Sequence, residues 1–219
     1  MPNYITSPYS NVIDVPREGT ASLLSKVLGI TALGFLLTAL GVATAPAWSS
    51  LPGLILVFGL LFAIMWARKA NPHMALGLFL ALGYFMGWEI GPLIHQYMRT
   101  VGSAVVFQAA ATTGLGMLAM GSVAYLFQIQ FRKLSMIGVG ALLLLVLAGI
   151  FSIFFHFMQP SVYSWLTLGV FSLLTVADFA RIRAGGDGQS AVMLALSIYL
   201  DGINIFLAFL QLFGGRRRD

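Results

Sequence analysis

The stretch "SIYLDGINIFLAFLQLFGG", Ser197 to Gly215, decides the fold. Within it Ser197, Asp201, Asn204, Ala208 and Gln211 follow one another at spacings of four, three, four and three, which is one face of a helix. Ile198, Leu200, Ile203, Phe206, Leu207 and Leu210 occupy the other faces. A helix that is apolar on every side but one belongs in hydrocarbon, and its polar stripe points into a bundle, at water or at polar groups of other helices. Ser197, Asn204 and Gln211 suffice as hydrogen-bonding glue between helices. Asp201 exceeds what glue requires.

The rest of the chain agrees with a membrane setting. Of 219 residues 59% are hydrophobic and only 9% charged, too little polar surface to clothe a water-soluble globule of this size. No run of alternating ten-residue strands is present, so the backbone must satisfy itself in helices rather than in a closed barrel. The absence of cysteine excludes disulfides, thiolate metal sites and cysteine nucleophiles. The net charge of +5 comes from basic residues scattered in ones, twos and threes at the ends of apolar runs. That is a topology signal and no sign of nucleic acid. Residues 1–21 carry Pro2, Pro8 and Pro16 with Asp14 and Glu18 and lack a basic start followed by an apolar core, so they read as a cytoplasmic tail and not as a signal peptide.

A spanning helix needs about 20 mostly apolar residues. Breaks at charge, proline and glycine clusters give seven candidates, at 22–45, 50–67, 73–97, 102–128, 134–158, 161–183 and 189–213, followed by a short basic tail at 214–219. The expected fold is an all-α membrane protein of one seven-helix domain, 22–213. The connections "PAWSS", "RKANPH", "RTVGS", "RK", "MQPS" and "RAGGDG" are so brief that consecutive helices are expected to be antiparallel neighbours. With a cytoplasmic N-terminus, Arg17, Lys26, Arg68, Lys69, Arg132, Lys133, Arg181 and Arg183 lie inside and only Arg99 outside. The tail residues Arg216, Arg217 and Arg218 disobey this bias in a seven-span topology, which is nevertheless the preferred reading.

Three acidic residues fall inside apolar segments: Glu89, Asp178 and Asp201. A charge at the bilayer centre costs about 3 kcal/mol on insertion scales, so such groups face a bundle interior or water and mark function. Glu89 stands in "MGWEIGPL", where Gly87, Gly91 and Pro92 are expected to weaken the helix and free carbonyls beside the carboxylate. It either fixes helix packing or belongs to an ion pathway. Asp178, in "LLTVADFARIR" with Thr175 on the same face, either pairs with Arg181 or Arg183 near the interface or joins Asp201 in one site. Close carboxylates in low dielectric share a proton near neutral pH and titrate as a unit. Such a pair is a proton-operated switch or half of a cation site. Taking the turn as "GGDG", the two aspartates are offset by roughly 9 Å along the axis, too far for a direct hydrogen bond between straight helices.

"ALSIYLDGINIFLAFLQLFGG", preceded by "ADFARIRAGGDG" and far upstream by "GWEIGPLI", resembles the transmembrane Bax inhibitor motif family, also called the Bax inhibitor-like family, in a bacterial member. The likeness covers nearly all of the chain after residue 20. It implies seven helices with the C-terminal one surrounded by the other six, and a pH-sensitive calcium leak controlled by an aspartate pair on helices six and seven. Carried over, that pair is Asp178 and Asp201, the gating residues and a transient calcium site. The basic latch at the end of helix two is Arg68 after "IMW", or Lys69 if the alignment slips by one. Glu89, Ser197, Asn204 and Gln211 are candidates for the ion pathway. The implied location is the bacterial inner membrane. Some bacterial members modulate an ATP-dependent membrane protease, and "SLPGLILVFGLLF" resembles that subgroup, which leaves such a protease as an alternative partner.

Enzymatic readings are weaker. Intramembrane aspartyl proteases carry a tyrosine-aspartate pair and a glycine-x-glycine-aspartate motif on helices, whereas here Ala177 precedes Asp178 and "GGDG" falls in a loop. His73, His95 and His156 stand on different segments, without a serine motif or ligand spacing. No enzyme activity and no resident cofactor are expected, and calcium enters only as the permeating ion.

Overall fold

The computed structural model describes residues 19–46 and 51–215. The expected N-terminal tail at 1–21 and the basic tail at 214–219 lie for the most part outside them. Among the described residues the chain forms seven helices: α1 (Thr20–Ala43), α2 (Leu51–Ala70), α3 (Pro72–Thr100), α4 (Ser103–Leu126), α5 (Phe131–Phe155), α6 (Pro160–Arg183) and α7 (Ala191–Gly215). Six are long and apolar enough to cross a membrane, and the apolar part of α2, Pro52–Arg68, is shorter. The chain is an all-α integral membrane protein.

Local chemistry sets the helix ends. Pro72 opens α3 behind Asn71, whose side chain accepts from the backbone N–H of His73 at 3.0 Å and of Met74 at 3.4 Å. Pro160 opens α6, without a side-chain cap. The tight α6–α7 turn places Gly185, Gly186 and Gly188 at φ of 88°, 82° and 75°, where a side chain would be strained. Asp187 of that turn pairs with Arg132 at the start of α5, at 2.8 Å.

The central helix is α7. Leu194, Ile198, Tyr199, Ile205 and Leu210 are fully buried, and Leu200, Asn204, Leu207 and Gln211 on its remaining face are half-buried. α1, α3, α4 and α6 pack directly against it, while α2 lies chiefly on α3 and α5 on α6 and complete the ring from outside. Large apolar side chains such as Leu144, Phe154 and Leu118 are exposed on the outer faces, a surface that only lipid solvates.

The expectation that consecutive helices are neighbours needs correction. The most extensive interface joins α1 to α3, and α4 packs on α6 and α7, whereas α1 with α2 and α4 with α5 form no substantial interface. Glycine is the cause. Gly83, Gly87 and Gly91, four residues apart on α3, lie so close to α1 that a Cβ on Gly87 would sit 2.0 Å from the carbonyl oxygen of Thr38, and one on Gly91 2.3 Å from the Cβ of Ala45. From α1, a Cβ on Gly41 would meet the carbonyl oxygen of Tyr84 at 2.0 Å. Small residues at this spacing let two backbones approach, which is what holds helices together where burial from water supplies no force. Pro92, which has no N–H, leaves the carbonyl of Trp88 beside Glu89 without its helical donor, but the helix does not break. α3 runs unbroken through Gly87, Gly91 and Pro92, and the two glycines serve contact with α1.

Tyr199 of α7 ties this pair to the centre. Its hydroxyl and that of Thr38 lie 2.7 Å apart, and Thr38 in turn reaches the carbonyls of Gly34 at 2.9 Å and Gly83 at 3.0 Å. With Tyr199 donating to Thr38, every polar atom of this dry node has a partner.

Candidate functional site

The polar residues of α6 and α7 meet along one seam. Ser164 donates to Gln211 Oε1 at 2.6 Å, the Thr175 hydroxyl lies 3.2 Å from Asp201 Oδ2, and Ser197 bonds to Asp178 Oδ2. These rungs define one antiparallel register. In it Asp178 lies opposite Ser197 and Asp201 opposite Thr175. Because α7 begins at Ala191 and not at 189, the axial offset of the aspartates is about four residues, or about 6 Å, not the 9 Å expected from the turn alone. They form no direct hydrogen bond with each other. The charge of Asp178 acts on Asp201, and Arg181 acts on both.

Both aspartates are 5% exposed. Asp178 Oδ1 accepts from Arg181 Nη1 at 2.8 Å, across one turn of α6. Arg181 Nη2 donates to Ser135 of α5 at 2.9 Å, and its guanidinium lies 5.8 Å from the Phe131 ring centre. One ion pair thus links α5 and α6 with the first half of α7 through Ser197.

The structure brings together Asp178, Asp201 and Ser197 from the expected site and leaves the others elsewhere. Arg68 is exposed at the end of α2, and no ion pair joins it to Asp178. Arg181 holds that place, the pairing already open from the spacing within "ADFARIR". Asn204 donates to the carbonyl of Leu200 in its own helix at 2.8 Å. Gln211 lies with Ser164 toward the far end of the seam. Glu89 is half-buried on α3, and its Oε2 is shielded without a hydrogen-bond partner. Ser135, in the first turns of α5, is the member that no pattern in the sequence singles out.

Between the aspartates and the Ser164–Gln211 rung the seam is sealed by Leu168 and Phe171 of α6, Ile205 and Ala208 of α7, and Leu145 of α5. Among the described residues no three histidine, aspartate or glutamate side chains gather as a metal site. Two carboxylates and two hydroxyls carry at most six oxygens, the low end of the six to eight or so that calcium prefers, and Arg181 already occupies one of them.

The family described as "Inhibitor of apoptosis-promoting Bax1" matches residues 20–218. An uncharacterized membrane protein of Streptococcus pyogenes is 29% identical over 163 residues, which cover 71% of this chain and 69% of that protein. An uncharacterized protein of Borreliella burgdorferi is 27% identical over 237 residues, covering 95% of this chain and 100% of its own length. One of Pseudomonas aeruginosa is 27% identical over 164 residues, with 74% and 72% covered.

Proposed function

We propose, from the premise that the chain belongs to the Bax inhibitor-like family, that it is a pH-sensitive calcium leak of the bacterial inner membrane, gated by protonation of Asp178 and Asp201. The observation that carries this reading is the unequal supply of donors to the two carboxylates. Asp178 has two, Arg181 and Ser197, the set that an ionised carboxylate takes. Asp201 has only Thr175, whose single proton already has a second acceptor in reach, the carbonyl of Phe171 at 2.7 Å. A proton on Asp201 resolves the shortage: the carboxyl donates to Thr175, and Thr175 donates to Phe171. The closed seam then holds one proton and one negative charge, balanced by Arg181.

A second proton has one place to go. On Asp178 it cancels the charge that Arg181 neutralises, and the link from α5 through α6 to α7 loosens beside the apolar seal. In sign, the stabilisation that Arg181 gives the closed bundle is present while Asp178 is ionised and is lost as pH falls through its titration. Acid therefore opens the seam, and calcium passes with the carboxylates as a transient way station. Arg181 does here what the family resemblance assigned to Arg68.

The test is ion flux from liposomes containing the purified protein, with calcium, potassium and protons compared. The reading expects calcium release well above protein-free liposomes, growing as pH falls. Calcium release equal to that of protein-free liposomes at every pH would refute it, and would return the chain to the alternative of a membrane-protease modulator.

A further inference from the structure

Beyond its apolar seal the seam ends at a cavity. α3 and α6 both pack on α7 and share no substantial interface with each other. Between the last turn of α3, the first turns of α6 and the last turns of α7 they leave a space of about 500 Å³. Tyr97 of α3 and Trp165 of α6 line it, and so do Phe209 and Phe213 of α7, stacked with ring centres 5.5 Å apart. The α3 wall stands close against α7, since a Cβ on Gly214 would sit 2.1 Å from the Tyr97 ring. Gln211, also in the lining, follows Asp201 by ten residues on α7, a rise of about 15 Å. The cavity therefore lies at the end of the bundle opposite the aspartates.

Three features make this space wet where the outer faces of the bundle are oily. α6 begins here at Pro160 without a side-chain cap, so the backbone N–H of Ser161, a lining residue, has no acceptor within its helix and takes one from water. Gln211 is half-buried, and only its Oε1 is engaged, by Ser164 at 2.6 Å. Its amide N–H groups have no partner among the described residues and are not shielded, which leaves water as their acceptor. Trp165 is exposed, and tryptophan with tyrosine in the end turns of spanning helices marks the level at which bilayer meets water.

We infer that this cavity is the water-filled mouth of the calcium route on the side away from the aspartates, with Gln211 as the residue that meets the ion there. The mouth presupposes the ion-leak reading and supplies the second half of its path. In the closed bundle Ser164 occupies Gln211 Oε1, and Leu168, Phe171 and Ile205 lie between that rung and the aspartates. When the seam parts, the rung parts with it, and a neutral amide oxygen of the kind calcium accepts stands at the head of the mouth. Among the described residues no charged side chain lines the cavity, so a charge fixed there changes its field the most.

The chain has no cysteine, so single cysteines report without background. In liposomes carrying the full-length protein, with a membrane-impermeant trimethylammonium methanethiosulfonate on both sides, Gln211→Cys should be modified. Leu207→Cys, one turn earlier on α7, half-buried and outside the cavity lining, should stay unmodified. If Gln211→Cys changes the melting profile, Leu212→Cys, also in the lining, takes its place. A folded variant whose lining cysteine does not react would mean that hydrocarbon fills the cavity, and would overturn the mouth. Calcium flux is then measured on Ser161→Cys, where one small exposed side chain of the lining replaces another. The cationic reagent should lower its acid-induced leak severalfold, and a sulfonate methanethiosulfonate of similar size should lower it less, because the route carries cations. A leak lowered as much or more by the anionic reagent, or untouched by both, in a protein that leaks before modification would place the cavity off the route. A parent protein that releases no more calcium than protein-free liposomes refutes the leak reading itself, and the mouth with it, before any cysteine is introduced.

Discussion

At the scale of single residues the account rests on who partners Asp178. Arg181 does so with 16% of its side chain exposed against 7% for the aspartate, and removing one member of such a buried pair costs about 3–5 kcal/mol. Arg181→Ala is therefore expected to lower the melting temperature more at alkaline pH, where Asp178 is ionised, than in acid, where it is protonated. It should also raise calcium leak at neutral pH, while the exposed Arg68→Ala stays close to the parent in both measurements. A leak that rises in Arg68→Ala and not in Arg181→Ala would restore the latch to helix two. The aspartates themselves were legible in the sequence, because a carboxylate in an apolar run announces itself. Their partners were not. Arg181 and Arg68 are equally basic and equally near the interface in a linear reading, and only the helix geometry separates them. Ser135 gives no signal, since one serine in an apolar segment is ordinary and gains meaning only from the guanidinium across the interface.

At the scale of elements, the helices were legible nearly to their ends, and their pairing was not. Prolines, charges and glycine clusters punctuate the chain at each break, and α6 and α7 moved by no more than two residues. Neighbours, however, are set by which helix faces lack side chains, and the spacing of Gly83, Gly87 and Gly91 reads equally well as a weak helix or as a contact surface. Backbone proximity on α1 decides for the surface. Gly87→Ala should accordingly drive α1 from α3 and melt the protein several degrees lower. Gly77→Ala, on the same helix but with open space at its Cβ, should be neutral or stabilise by about 0.5–1 kcal/mol. A similar melting temperature for both variants would show that the glycines do not carry the interface.

At the scale of the whole molecule, the contacts fix direction. Leu23 and Val27 near the start of α1 cluster with Ile182 and Leu194 beside the α6–α7 turn, and Leu210 near the end of α7 clusters with Ile94 and Val105 at the opposite end. Thr20 and Gly215 thus lie at opposite ends of the bundle. Reporter fusions to the two termini should report opposite sides of the membrane, the N-terminus cytoplasmic with Arg132, Arg181 and Arg183. The same side for both would break the seven-span arrangement. Between these ends the molecule is a seam of polar rungs closed by an apolar seal, and the central claim is that protons open it. The pH profile of calcium flux in liposomes, taken between about pH 5 and 8, where paired buried carboxylates titrate, tests this most directly. The account predicts that Asp178→Asn, which removes the carboxylate whose protonation opens the seam, flattens the profile, that Asp201→Asn, which imitates the carboxyl already protonated in the closed seam, keeps an acid-opened profile, and that Glu89→Gln changes the amplitude and leaves the midpoint in place. A profile that survives intact in Asp178→Asn would contradict the account and make that aspartate a packing residue of the α6–α7 seam.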